Sequence, residues 1–364
     1  MVSRFSIRAL TLHVSRDVLG DEDRFEGMIS DLYSAKDAIE GEFDVRVDSL
    51  RFTLPDSESS VIDEVLDMVL RVKPDDILAS IGNISSSSSR LVDIVSSVVR
   101  NELYVSVLLD EFSWSHARRL SEMLIRLADE NPDYCTRVGI NTLGSPIYTP
   151  YYPLSSSPGD SSSLTIALTY PNFLKEYYQS GGVESLKRGV LDAGGLAVKA
   201  LSIASNILKV DFGGVDLSVS PWMEESTLGL VEAVAGTRMP RPGFTLGIRI
   251  INDVLDYASS AIKTIGFNEV QLPVAEDSRL KARVSEGEVT ARDLARLSGV
   301  SLAGLDLVVV PASLDDVAGL ILDVASYART KKKPLGVRII PVEGVEPGDK
   351  VLLSRFGETP VIPI

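Results

Sequence analysis

The sequence predicts an α/β fold built as two successive β/α ladders, and three observations carry that expectation. Short β-rich runs alternate with stretches whose apolar residues recur every three or four positions. The connections between them are short, which implies right-handed βαβ crossovers and a largely parallel sheet. One Tyr/Pro/Ser-rich segment interrupts the alternation, which then restarts.

In the first ladder the β-rich runs are 6–14, 45–54, 77–81, 103–109 and 136–141, and the helical stretches are 21–40, 59–72, 87–101 and 113–129. Ser57 with Ser60, and Ser113 ahead of Trp114, are the expected N-caps. Residues 85–90 read SSSSSR at the start of a helix, where hydroxyls and free N–H groups can cap the helix or hold an anion. Residues 142–163 read TLGSPIYTPYYPLSSSPGDSSS, with four prolines and two glycines, so neither helix nor central strand is expected. Two readings stand for this segment. It is a solvated linker, or an ordered loop over a site in which Tyr148, Tyr151 and Tyr152 find work.

The second ladder offers strands at 164–170, 215–219, 269–274, 305–310 and 336–342, with terminal strands near 351–355 and 360–362. Its helices fall at 183–209, 228–234, 245–265, 291–298 and 314–328. The halves echo each other in element order, without a sequence repeat. The expected organisation is one α/β domain over 1–364: an N-terminal half 1–141, the loop 142–163 and a C-terminal half 164–364.

Composition narrows the functional classes. Hydrophobic residues make up 45% of the 364 and charged residues 24%, an ordinary globular balance. Asp and Glu number 51 against 36 Lys and Arg, for a net charge of -15. Nucleic acid and anionic membranes, which require clustered basic charge, are therefore not expected partners. One cysteine excludes a disulfide framework and a Cys-rich zinc site. The opening MVSRFSIRALTLHVSRD is too regularly charged for a signal peptide, and no run approaches the roughly 20 apolar residues that span a bilayer. A soluble, cytoplasmic protein is expected. Only two glutamines, Gln179 and Gln271, fit a thermophilic source.

Few residues offer chemistry. Cys135 reads as a small buried hydrophobe, or as a nucleophile if Arg137 lowers its pKa. His13 on the first strand and His116 beside Arg118 and Arg119 read as structural or surface residues, and Lys331–Lys333 as a solvated run. Asp216, Glu276 and Asp277 stand out because they lie in or just after strands that otherwise read as core. Together they would bind a divalent cation such as Mg²⁺ or Mn²⁺, or divide acid and base work. The plainer reading is that Asp216 ties down a loop and Glu276–Asp277 cap the following helix.

Residues 214–221 read GVDLSVSP, 272–277 LPVAED, 304–311 GLDLVVVP and 336–342 GVRIIPV, before a terminal GETPVIPI. In this order and spacing they resemble the DUF711 family (UPF0210), an uncharacterised group of prokaryotic proteins, over roughly 171–364. The stretch GTRMPRPG at 236–243 carries arginine where the family pattern suggests a histidine. The resemblance implies a fold similar to pyruvate formate-lyase and other glycyl radical enzymes: a ten-stranded barrel of two parallel half-sheets with helices outside. It brings no activity. Glycyl radical chemistry is not expected, because the tail has Gly357 but no RVxGY-like motif.

In such a barrel the helices need the apolar strand faces. Period-two reading sets Thr11 and His13 against Leu10 and Leu12, Arg51 and Thr53 against Leu50 and Phe52, and Ser106 and Asp110 against Val105 and Val107. It also sets Asp216, Ser218 and Ser220 against Val215, Leu217 and Val219, and Arg338 against Val337 and Ile339. The polar faces then point inward and must be satisfied by water, partners or a ligand. The expected pocket residues are Asp216, Ser218, Glu276, Asp277, Arg338, Arg51, Tyr151 and Tyr152, with the 148–157 loop closing over them. The expected function is an enzyme, or a protein derived from one, that binds a small polar metabolite there. The alternative is a non-catalytic ligand-binding or scaffolding homo-oligomer; in either case a homo-oligomer, a dimer, is expected.

Overall fold

The computed structural model describes residues 5–58, 60–302 and 304–364. In chain order the elements are β1 (Ser6–His13), α1 (Glu22–Glu42), β2 (Leu50–Thr53), α2 (Ile62–Val72), β3 (Leu78–Ser85), α3 (Leu91–Arg100), β4 (Tyr104–Leu108), α4 (Trp114–Glu130), α5 (Pro132–Cys135) and β5 (Val138–Asn141). The second half continues with β6 (Ser163–Thr169), α6 (Pro171–Leu208), β7 (Asp211–Asp216), α7 (Thr227–Ala235), α8 (Phe244–Ser259), α9 (Ser278–Ser285) and α10 (Ala291–Leu297). It ends with β8 (Val308–Pro311), α11 (Leu314–Lys331), β9 (Gly336–Val337), β10 (Ile339–Val342), β11 (Lys350–Leu353) and β12 (Gly357–Pro360).

The protein is mixed α/β around a large, mostly parallel sheet of eight strands in the order β7-β6-β1-β2-β3-β4-β5-β9. Strands β1 to β5 run parallel to one another. The second half joins this block on both flanks, through the antiparallel pairs β1·β6 and β5·β9. Strands β8 and β10 form a separate parallel pair, and β11 with β12 an antiparallel hairpin. Among the described residues the strand ladders thus do not run as one continuous ten-membered ring.

Burial explains the alternation. The apolar side chains of β1 to β7, such as Leu10, Leu12, Phe52, Val105, Val107, Ile166 and Val215, are buried with the inner faces of α1, α4, α6 and α11 in one core. The N-cap reading of Ser113 matches its bond from the His116 N–H. Helix α2 instead starts after Val61 with no side-chain cap, and the expected first residue of that helix, Ser59, lies outside the described residues, as do residues 1–4 of the N-terminal stretch.

Several expected bounds shift, with α6 opening at Pro171 rather than 183 and β7 ending at Asp216 rather than 219, and two departures have a local cause. Residues 269–274 form no strand. Asn268 turns with φ +53° and Pro273 lacks an N–H, leaving isolated contacts such as Val219 with Val270. Helix α8 stops at Ser259 rather than 265, because Thr264 leaves to pair beside Val215. Among the described residues one helix, α6, is long and apolar enough to cross a membrane by length and composition alone, a test that the core helix of a globular domain also passes. The helix breaks at Gly181–Gly182, and the apolar residues beyond the break include Leu186, Val190, Ala193, Ala197 and Leu201, all buried in the core.

Candidate functional site

A cavity of about 600 Å³ draws its wall from both halves of the chain: Arg8 of β1, Arg51 of β2, Tyr104 of β4, the 151–154 loop, Trp222, Gln271, Glu276, Asp306, Arg338 and Arg355. Four charges alternate along one side. Arg8 donates to Glu276 through Nη2 and to the Pro221 carbonyl through Nη1 at 2.7 Å. Arg338 reaches Glu276 at 3.4 Å and grips Asp306 through both Nε and Nη2, the latter at 2.9 Å. Burial pushes the Glu276 carboxyl up, but Arg8, Arg338 and Arg355 outweigh it and hold the group below the usual glutamate range. Arg338 is held above its ordinary value for the mirror reason: burial opposes its charge, and Asp306 with Glu276 more than restore it.

Arg51 is different. It is 7% exposed, donates from Nε to Ser49 Oγ at 3.0 Å and from Nη1 to the Pro150 carbonyl at 3.2 Å, and lies over the Tyr152 ring at 5.1 Å. No carboxylate among the described residues pairs with it. Burial, followed by the positive charges of Arg8 and Arg355, pulls its pKa down to about 10. The Tyr152 ring continues to Tyr104 at 5.1 Å, whose hydroxyl accepts from Arg355 Nη1 at 2.7 Å. Arg355 sits at the exposed mouth against Trp222 and Phe356.

Of the expected pocket residues, Arg51, Tyr151, Tyr152, Glu276 and Arg338 line this cavity, and Asp216, Ser218 and Asp277 do not. Asp216 is fully buried and accepts five bonds, from Ser218 N and Oγ, Asn268 N, Phe267 N and Thr149 Oγ1. These neutral donors do not fully offset burial, and its carboxyl stays above the usual aspartate range. Asp277 caps α9 through Arg279 N and Leu280 N, and also accepts from Ser226 Oγ and Leu228 N at the start of α7. The three carboxylates nominated for a cation therefore face separate donor sets. Among the described residues no group of three or more His, Cys, Asp or Glu is placed to hold a metal ion.

The polar strand faces are buried, and the Tyr/Pro/Ser segment meets much of their demand. The Pro150 carbonyl accepts from Arg51, and Ser155 Oγ bonds Thr53. Ser156 O meets His13 Nδ1 while Thr165 Oγ1 meets Nε2, and burial pulls this imidazole down to about 3, the Ser156 contact opposing. His13 is thus a neutral structural residue. Cys135 is buried, donates to Leu124 O at 3.3 Å, and burial pushes its thiol up, away from nucleophilic form. At the serine cluster, read as a helix cap or an anion site, the acceptor is internal: Asp110 Oδ2 accepts from Ser85 Oγ, Ser86 Oγ and Ser87 N.

Several residues escaped the sequence reading. Lys331 and Lys333, read as solvated, both bond Glu269 at 2.9 Å. Arg8 was invisible to period-two counting because the β1·β6 register skips it, pairing Ile7 with Leu168 and Ala9 with Ala167. Asp306 had a signal: it occupies the same place in GLDL as Asp216 in GVDL. For Tyr104, Trp222 and Arg355 the sequence carried no comparable mark.

Similarity to known proteins follows this geometry. The chain is 38% identical over 148 residues to a UPF0210 protein of Pyrobaculum arsenaticum, covering 39% of this chain and 33% of the relative. It is 34% identical over 164 residues to a UPF0210 protein of Methanopyrus kandleri, with 43% and 36% covered, and 33% identical over 170 residues to one of Lactiplantibacillus plantarum, with 45% and 38% covered. The matched stretches thus span little more than a third of these prokaryotic relatives, which include thermophilic archaea. The family model described as Uncharacterised ACR (DUF711) matches residues 107–354, and the chain belongs to that family.

Proposed function

We propose that this chain binds a small polar metabolite in the Arg51–Glu276–Arg338 cavity, as an enzyme or a protein derived from one, without glycyl radical chemistry. The convergence of charged side chains from six separated segments on one cavity of about 600 Å³ carries the reading. That volume lies within the roughly 300–1,000 Å³ of small-molecule sites. The rival is a non-catalytic ligand-binding or scaffolding homo-oligomer; its scaffolding form calls for apolar filling, which the Arg8–Glu276–Arg338–Asp306 row speaks against. Against radical chemistry stand Cys135, buried outside the cavity wall, and Gly357, exposed at the head of β12. A cytoplasmic setting suits the free thiol.

The proposal includes a closed ten-stranded barrel. Its support is a chain of backbone bonds beyond the sheet edge: Gln271 N to Val219 O, Val274 N to Asp306 O and Val308 N to Arg338 O. Residues 1–170 and 171–364 expressed apart are then expected to be insoluble or molten, since each leaves strand edges unpaired. Two soluble, cooperatively melting halves would overturn the barrel.

The function is tested by a thermal-shift screen with metabolites and divalent cations, because a ligand of the native state raises its melting temperature. A parallel screen uses Leu78→Trp, which fills the cavity from its half-buried wall. Ligands that stabilise the native chain and not the filled variant are expected. Equal shifts in both proteins, or none in either, reject the cavity as the site.

A further inference from the structure

We infer that the molecule bound in this cavity is a small dianion, a phosphate monoester or a dicarboxylate, held between Arg51 and Arg355. The inference rests on the reading of the cavity as a ligand site and names the ligand's class. The wall holds six cationic side chains and four carboxylates, an excess of two positive charges in a chain whose net charge is -15. Of its five arginines, Arg8, Arg338 and Arg46 have carboxylate partners. Arg51 and Arg355 have none among the described residues; the charge of Lys36, the sixth cation, is cancelled in the count by Glu40, and the excess of two matches the two arginines.

Arg51 makes the stronger case. Its guanidinium spends Nε and Nη1 on neutral oxygens, while Nη2 has no protein acceptor among the described residues. A buried cation without a counter-charge is costly, and an anionic ligand removes that cost. Its lowered pKa reflects the same deficit. Arg355 marks the second position, joined to the first through the continuous contacts Arg51–Tyr152–Tyr104–Arg355. The planar fork of each guanidinium matches carboxylate and phosphate oxygens. Glu276 and Asp306, already gripped by Arg8 and Arg338, do not oppose a second anion with free charge.

Isothermal titration of the whole chain at low ionic strength tests the inference. The probes are inorganic phosphate, glycerol 3-phosphate, succinate, the monoanion acetate, and the neutral glycerol and succinamide. One dianion class is expected to bind at least about 10-fold tighter than acetate, and to weaken as salt is added. Binding by glycerol 3-phosphate but not succinate assigns a phosphate monoester; the reverse assigns a dicarboxylate. Arg51→Gln is expected to lower the affinity about 100-fold. Arg355→Gln, at an exposed position that does not endanger the fold, is expected to lower it about 10-fold. Acetate or a neutral probe binding as tightly as the dianions, no dianion binding at all, or full affinity in both variants overturns the dianion. If a neutral probe binds the native chain and not Leu78→Trp, the cavity stands as a site while the dianion falls.

Discussion

Residues 214–217 and 304–307 share the pattern Gly-x-Asp-Leu, and their aspartates meet different surroundings. Asp216 has no exposed surface and accepts from three backbone N–H groups and two hydroxyls. Asp306 faces the cavity and is gripped by the side chain of Arg338, which also reaches Glu276. Donors fixed in backbone hold one strand-end to the turn at 267–268 and leave nothing for a ligand. Donors carried on arginines form an extended surface of charge beside open space. A buried carboxylate is therefore not evidence of a site by itself; the kind of donor that satisfies it decides.

The largest effect is expected at the closed knot. Asp216→Ala strands five buried donors and should cost roughly 3–5 kcal/mol in urea unfolding. A loss under about 1 kcal/mol would show that water replaces the carboxylate and that the knot is not closed. Glu276→Gln keeps an acceptor for Arg8 and Arg338 but removes the charge, and should cost about 2 kcal/mol. The same variant leaves an additional uncompensated cation in the wall, so anion affinity should rise severalfold. An unchanged affinity would separate the charge row from the cavity.

Acid titration of stability sharpens the contrast because the signs oppose. Glu276 sits below its ordinary value of 4.5, so its contribution is present above that pH and is lost as pH falls through the depressed value. Asp216 sits above its ordinary value of 3.8 because burial disfavours its charge, so the folded state favours its protonated form; that contribution is fully present below 3.8 and is lost as pH rises through the raised value. Glu276→Gln should flatten the fall in stability on acidification, and Asp216→Asn should steepen it. Parallel curves for both variants would erase the distinction. The smallest effect belongs to Cys135, whose replacement by alanine should cost about 1–2 kcal/mol of packing and leave ligand binding intact.

Much of this was legible in the sequence. The alternation of Leu10, Leu12, Phe52 and Val107 with polar neighbours carried the strands and their buried faces, because burial on alternate sides imposes period two. Arg51 and Arg338 were visible as charges where core residues belong, and Glu276 as a carboxylate following a strand-like run. Arg8 was hidden by a bulge that changes the strand's phase, which no local count detects. The partnership of Lys331 and Lys333 with Glu269 joins positions 62 and 64 residues apart, and a run of lysines reads the same whether water or a distant carboxylate receives it. For Asp216 and Asp306 the local letters coincide, and only the remote donors distinguish them.

The antiparallel meeting of β5 with β9 bears on how the chain acquires its shape. It rests on two residue pairs, Ile140 with Val337 and Asn141 with Gly336. The adjoining bond from Thr142 Oγ1 to Leu335 O closes a loop of 193 residues. Leu154 fills the space beside Gly139 and Gly336, one on each strand, where a Cβ would meet its side chain at 2.8 and 1.9 Å. During synthesis the parallel block has all five strands after residue 141, while its outer edge waits for residue 336 to leave the ribosome. Long-range closures of this kind are slow, and an unpaired strand edge invites association meanwhile. The brevity of that edge, four residues in β5, limits the exposure for as long as the partner strand is unmade.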